Sequence, residues 1–185
     1  QRALAQADGE IHTSGATGLF DALVATADHG YQKGKSRRKA LLFITDGLEK
    51  NSSVKEDKVI TTLIENQAQA YFYCLPDQSD RSYFRRNMPP KGRELTDRLA
   101  KVTGGQSFYL DSADKSASTA ARLIDSLRRQ YEITYVSTNN KQDDKLRKVK
   151  VVVSPKDGRK LNVITRQGYY GPGRKRAVDQ DADKK

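Results

Sequence analysis

Two residues in this sequence have the type and setting to do chemistry together: Thr17 in "SGATGLFDAL" and Asp46 in "KALLFITDG". A hydroxyl where a loop enters a helix and a carboxylate at a strand tip are hard oxygen donors. Such donors suit Mg²⁺, Mn²⁺ or Ca²⁺ rather than a soft metal. Each residue also has an ordinary reading. Thr17 can cap its helix, and Asp46-Gly47 can form a turn. Asp21, four residues after Thr17, reaches the same rim from the first helical turn, or is a solvated acid favoured there by the helix dipole.

Other chemistries find less support. His12 and His29 are the only histidines, and His29 lies near a helix end where a cation is mildly favoured. There is no G-x-x-x-x-G-K-[ST] and no G-x-G-x-x-G. A hydrolase or phosphotransferase built on a strand-tip Asp wants a second acid, a His or a Lys beside it. The spacing offers no such set, so the expectation is a protein that is not an enzyme. The single cysteine, Cys74 in "YFYCLP", excludes an intramolecular disulfide and a Cys-based zinc site within this sequence, and reads as a small buried hydrophobe.

The elements that must position Thr17 and Asp46 follow from periodicity. Thr17–His29 carries Leu19, Ala22, Leu23 and Ala27 at helical spacing, with Phe20 and Val24 widening the apolar face. Lys39–Thr45 is a strand with both faces apolar, the mark of a parallel strand covered on both sides. Ser53 and Glu56 have capping-box spacing ahead of a helix bearing Val59, Ile60, Leu63 and Ile64. Residues 70–75 form a second strand. A polar loop at 76–92 follows, with Arg81, Arg85 and Arg86 available to an acidic partner or simply solvated. Leu95, Leu99 and Val102 mark a helix stopped by Gly104-Gly105. Residues 107–110 form a third strand, and Ser112 caps a helix running to about Gln130.

Beyond Gln130 the period changes to two. The stretches 131–137, 147–153 and 161–166 read as strands without helices between them, with Asp157-Gly158 turning the last two. The expected fold is α/β: parallel strands with flanking helices in a partial Rossmann-like sheet, then a small antiparallel β-meander. In such a sheet, ligands gather beyond the carboxyl ends of the strands, which is the rim that Thr17 and Asp46 share. The expected organisation is 1–130 for the α/β part, 131–170 for the meander packed on it, and 171–185 for a charged, disordered tail.

The 185 residues suffice for one domain with a small appendage. The apolar fraction is 36% and the mean hydropathy −0.80, so the core is concentrated in the short segments above. The net charge is +11, from 34 Lys and Arg against 23 Asp and Glu. A basic module binding nucleic acid or an acidic polymer is the alternative reading of that excess. The basic residues are scattered, however, and no stripe interleaved with aromatics appears, so a solvated surface is preferred. No apolar run is long enough to span a membrane.

Several stretches together resemble one family. "SGATGLFDAL", "RKALLFITDG", "LAKVTGGQSFYL", "RRQYEITYVSTNN" and "RKVKVVVSPKDGRKLNVITRQGYYGPG" look like the bacterial von Willebrand factor A-related proteins. The resemblance extends to about Gly173. Its most specific parts are Thr-x-Leu-x-Asp-Ala-Leu followed by Ile-Thr-Asp-Gly, with the closing Gly-Tyr-Tyr. It implies a metal-ion-dependent adhesion site built from three loops, in which Thr17 is the second-loop ligand and Asp46 the third-loop acid. It also implies a protein partner that offers an acidic side chain to the cation, and a secreted, periplasmic or cell-envelope setting.

The sequence departs from the family at the first loop, since no Asp-x-Ser-x-Ser occurs. Only 16 residues precede Thr17, fewer than a βαβ unit needs, so the first strands of the family sheet are expected to lie outside this sequence. The sequence begins with Gln1 and shows no signal peptide within itself, and the chain is expected to be a piece of a longer protein. Two remaining ligands would hold a metal weakly. A sheet left with a bare edge is expected to be weakly stable unless something fills the gap.

Overall fold

Ala68, Ala70, Phe72 and Cys74 put apolar groups on one face of a strand, and Tyr71 and Tyr73 put aromatic ones on the other. A strand of that composition has two faces to bury and belongs in the middle of a sheet. In the computed structural model, which describes residues 18–33, 39–75, 90–110 and 113–171, it does lie there. This strand, β2 (Ala68–Cys74), is the centre of a three-stranded parallel sheet. On one side β1 (Lys39–Thr45) pairs along its whole length, from Lys39 opposite Ala68 to Thr45 opposite Cys74. On the other side β3 (Ser107–Tyr109) pairs from Ser107 opposite Phe72 to Tyr109 opposite Cys74.

The helices are α1 (Leu19–Lys33), α2 (Glu56–Glu65), α3 (Pro90–Thr103) and α4 (Ser116–Arg128), the last preceded by a 3₁₀ turn at Ala113–Lys115. Leu19 and Leu23 of α1, Val59 and Leu63 of α2, and Leu95 and Leu99 of α3 close over one face of the sheet. Leu41 and Phe43 of β1 join them, with Phe43 stacked on Phe72 at a ring-centroid distance of 5.7 Å. Leu123 of α4 covers part of the other face, against Tyr71 and Phe108. The α/β class and the parallel sheet are therefore as the periodicity predicts.

β1 stands at the edge of the described sheet, and α4 does not reach it. Its second face is open, with Leu42 48% and Ile44 66% exposed. The strand has the composition of an interior one and only one described neighbour.

Local signals fared unevenly. The Gly104-Gly105 stop is realised: Gly104 takes a φ of 76°, and the Gly105 N–H closes on the Ala100 carbonyl at 2.9 Å. The Ser53–Glu56 capping box is not. Lys55 is the N-cap of α2 and gives no side-chain cap, because the chain at Ser53 and Val54 is already bound to Asp21 of α1. Ser112 lies outside the described residues.

The antiparallel part is smaller than the alternation predicts. It is a pair of three-residue strands, β4 (Leu146–Lys148) and β5 (Gly168–Tyr170), with Arg147 opposite Tyr169. The stretches 131–137, 149–153 and 161–166 form no ladder, and Tyr131 and Val136 are almost fully exposed. Alternation says which residues would share a face; it does not supply the neighbouring strand that makes the face worth forming. The expected turn survives, with Gly158 at φ 71° and its N–H on the Pro155 carbonyl at 3.1 Å. This part packs on the amino-terminal end of the sheet. The Gln167 N–H reaches the Val102 carbonyl at 3.1 Å, and the Tyr170 hydroxyl lies 3.2 Å from Thr61 Oγ1. It therefore stands away from the strand tips at which Asp46 lies.

Candidate functional site

β1 ends at Thr45 and the chain turns at once. Gly47 adopts a φ of 74°, which a residue with a Cβ rarely takes. Two side chains hold the turn: Thr45 Oγ1 accepts the Gly47 N–H at 3.0 Å, and Asp46 Oδ1 accepts the Leu48 N–H at 3.0 Å. The turn-forming reading of Asp46 is thus realised through one oxygen. Among the described residues no hydrogen bond engages Oδ2. Asp46 is half-buried at the tip of the strand.

The loop that follows is tied to the start of α1. A helix leaves its first N–H groups without intrahelical acceptors. Here Glu49 and Ser52 supply them from the distant loop. The Phe20 N–H donates to Glu49 Oε2 at 2.9 Å and to Ser52 Oγ at 3.0 Å, and the Asp21 N–H donates to Ser52 Oγ at 3.2 Å. Glu49 Oε1 also accepts the N–H groups of Asn51 and Ser52, at 3.0 and 2.8 Å, and Oε2 accepts the Ser52 hydroxyl at 2.8 Å. The tie is reciprocal, since Asp21 accepts the N–H groups of Ser53 and Val54 at 2.9 and 3.0 Å. A negative charge at a helix N-terminus is further favoured by the dipole.

The consequence is that the start of α1 and the loop leaving β1 form one rim. A methyl group placed on Gly18 would sit 3.5 Å from Ser52 Oγ, so the two segments are in close contact. Asp46 is at the strand tip, as its sequence context predicts. Thr17 lies outside the described residues, next to Gly18. Asp21 is on the rim, but both its oxygens are committed to backbone donors. Glu49 and Ser52 were missed by sequence reasoning, because their partners lie far back in the chain and no local spacing announces them.

The other strand tips are filled. Cys74, ending β2, is buried, and burial foremost pushes its thiol up to about 12, against the hydrogen bond with Thr96. The Tyr109 hydroxyl, ending β3, donates to Asp97 Oδ1 at 2.6 Å and lies 3.0 Å from Thr96 Oγ1. Burial, and then Asp97, push Tyr109 up to about 12. The Arg93 guanidinium stacks 3.9 Å over its ring. These groups plug the sheet end. Among the described residues there is no group of three or more His, Cys, Asp or Glu that could hold a metal ion.

The tie between α1 and the loop carries a pH dependence. Hydrogen bonds from Ser53 and Val54 hold Asp21 below the usual carboxylate range. For Glu49, burial raises the pKa, and the donors of Phe20, Ser52 and Asn51 outweigh it, so the net shift is downward. Groups depressed in the folded state contribute stability above their unfolded pKa and lose it as pH falls through the folded one. Stability is therefore expected to fall below about pH 4, and Glu49→Gln is expected to shallow that fall. Urea melts at a series of pH values check this; an unchanged slope in Glu49→Gln would count against the tie.

Comparison of the chain with protein-family models, with curated proteins and with solved structures found no match.

Proposed function

We propose that this chain is a non-enzymatic protein-binding module, which recognises an acidic side chain of its partner through a divalent cation at the rim where α1 begins and β1 ends. The reading is supported by one observation above the rest. Asp46 sits at a parallel-strand tip beside a helix start, with Oδ1 anchored by the Leu48 N–H and Oδ2 in no described hydrogen bond. A carboxylate fixed through one oxygen is oriented without being neutralised.

The donor chemistry fits a hard dication, while the number of donors does not hold one unaided. Mg²⁺, Mn²⁺ or Ca²⁺ takes about six to eight oxygens. Asp46 and Thr17 supply two oxygens of the right class. The carboxylates of Asp21 and Glu49 are occupied by backbone donors. Water and the partner's carboxylate complete the shell, so cation and partner bind with positive coupling. The cation supplies a point of positive charge at a partly desolvated rim, where the attraction to a carboxylate exceeds its value in open water.

Mn²⁺ titration followed by its electron spin resonance signal tests the proposal. The full chain is expected to bind Mn²⁺ weakly and more tightly when acetate is present. Asp46→Ala is expected to lower that affinity at least about tenfold, or about 1.4 kcal/mol. Equal binding by the wild type and Asp46→Ala would remove Asp46 from the site.

A further inference from the structure

We propose that residues 149–153 and 163–167 are the arms of a hairpin that closes on an acidic, extended segment of a partner protein, whose carboxylates lie beside Lys150 and Arg166. The inference goes beyond the cation rim and uses none of that rim's residues.

The root of the hairpin is fixed. Leu146 pairs with Tyr170, Arg147 with Tyr169 and Lys148 with Gly168, and the Val149 N–H still reaches the Gln167 carbonyl at 2.9 Å. Arg147 pins this root, donating to the Asn139 carbonyl at 2.6 Å and to the Lys141 carbonyl while its guanidinium lies over the Tyr169 ring. In the same register the next pair on the face of Lys148 is Lys150 opposite Arg166, and there the ladder stops. Like charges directly opposite each other in an antiparallel pair are destabilising. Past them the register sets Val152 opposite Ile164 and Val153 opposite Val163, β-branched pairs that suit a sheet. All four are exposed, Val152 by 72% and Ile164 by 49%. The arms therefore have the composition of strands, a register set at the root and a turn at the tip, interrupted by one like-charged pair.

The charge of the surface selects the partner. From Lys145 to Arg166 the sequence carries eight Lys and Arg against one acid, Asp157, which is itself paired with Arg159. A second copy of the arms would bring the same positive excess, so self-pairing is disfavoured. A nucleic acid would satisfy the cations and leave the exposed Val and Ile side chains unused. Sequence-tolerant binders of single strands set aromatic rings among their cations, and the arms contain none. An extended peptide with acidic and apolar residues two apart meets both needs. One of its faces then presents carboxylates to Lys150 and Arg166 and apolar groups to Val152 and Ile164. The Lys150 and Val152 N–H groups make no described backbone bond, which leaves the outward edge of 149–153 open to strand addition. Neutralising Lys150 and Arg166 removes the repulsion, so binding and closure of the arms are coupled.

Amide hydrogen exchange in the full chain, read by NMR, tests the closure. The Val149–Gln167 bond marks a hydrogen-bonded pair, so the next such pairs in register are Val151–Thr165 and Val153–Val163. In the free wild type the amides of these four residues are expected to exchange without protection. Lys150→Glu places opposite charges across the pair and is expected to slow all four about tenfold with no ligand present. The probe is a nonapeptide, Glu-Thr-Val-Thr-Glu-Thr-Val-Thr-Glu. It is expected to slow the same amides in the wild type, while its counterpart with Lys in place of Glu leaves them unchanged. Val152→Ser leaves the root and the charges in place and is expected to weaken binding of the acidic peptide severalfold. Arms already protected in the free wild type, unchanged exchange in Lys150→Glu, or equal effects of the acidic and basic peptides would each overturn the inference. Protection that grows with the concentration of the wild-type chain alone would overturn it in favour of a second copy. Protection by an oligothymidylate and not by the acidic peptide would overturn it in favour of a nucleic acid.

Discussion

Phe72→Ala is expected to lower the stability of the chain by about 3–5 kcal/mol, the range for removing a buried aromatic from a core. Phe72 is 0% exposed, on the central strand, and belongs to the larger core. Its ring stacks on Phe43 of β1, and its backbone N–H pairs with the Gln106 carbonyl at 3.0 Å, beside β3. Alanine would leave a cavity between the strands and α3, and the neighbouring strands cannot close it without breaking register. Against a total of about 5–15 kcal/mol for a typical domain, that loss is large. It is larger still in relative terms for a sheet whose β1 edge has no described partner. Urea denaturation followed by circular dichroism measures it. The midpoint is expected to fall severalfold more than for Ile44→Ala, a residue of similar chemistry that is 66% exposed on β1. Equal shifts for the two variants would mean that Phe72 is not at the centre of the core.

Gly105→Ala is expected to be comparably damaging, through crowding rather than loss. A Cβ at Gly105 would fall 1.9 Å from the Ala70 carbonyl oxygen and 2.6 Å from its carbon. Those are backbone atoms of the central strand, and they cannot rotate away as a side chain would. Either β2 or the α3–β3 connection must move. Movement of the connection breaks the Gly105 to Ala100 hydrogen bond and draws β3 off β2. The cost is expected to be about 3 kcal/mol, the upper end for overpacking, because nothing soft absorbs the added carbon. Gly158→Ala is the control. Gly158 has a φ of 71°, but a Cβ there meets nothing within 4 Å. Its penalty is only that of the backbone conformation, about 1 kcal/mol. Thermal melts of the two variants are expected to separate clearly; similar midpoints would mean that the close approach of Gly105 to Ala70 does not persist in solution.

Much of the fold is legible in the sequence. The helices containing Leu19–Ala27, Val59–Ile64 and Leu95–Val102 follow from apolar spacing, as does a helix with Ala117, Ala120, Ile124 and Leu127, although in α4 Leu123 is the buried residue and Ile124 is half exposed; the strands around Leu41–Ile44 and Ala70–Cys74 follow from their composition. These patterns are local, so their physics is local: a 3.6-residue or two-residue period sorts side chains to one side whatever lies elsewhere. Gly104-Gly105 as a helix stop was equally readable, since αL geometry and a close approach both demand the absence of a Cβ. Asp46 as the residue leaving a parallel strand followed from the order of elements.

Which strand is central, and which residues cap α1, are questions of another kind. Composition reads the 39–45 strand as interior to a complete sheet with the 70–75 strand on one side; β2 is that neighbour, and among the described residues the other edge of β1 has none, with Leu42 and Ile44 exposed. The alternating stretches after Gln130 condensed into the short β4–β5 pair, because a strand exists only with a neighbour to share its hydrogen bonds. The Ser53–Glu56 spacing promised a local cap, and Asp21 from another helix occupied the backbone first. Glu49 and Ser52 reach Phe20 of α1 from 29 and 32 residues along the chain, with nothing near them in the chain to announce it. Periodicity is carried by neighbours along the chain, whereas capping, centrality and the meeting of α1 with the loop after Asp46 depend on groups brought close only by folding.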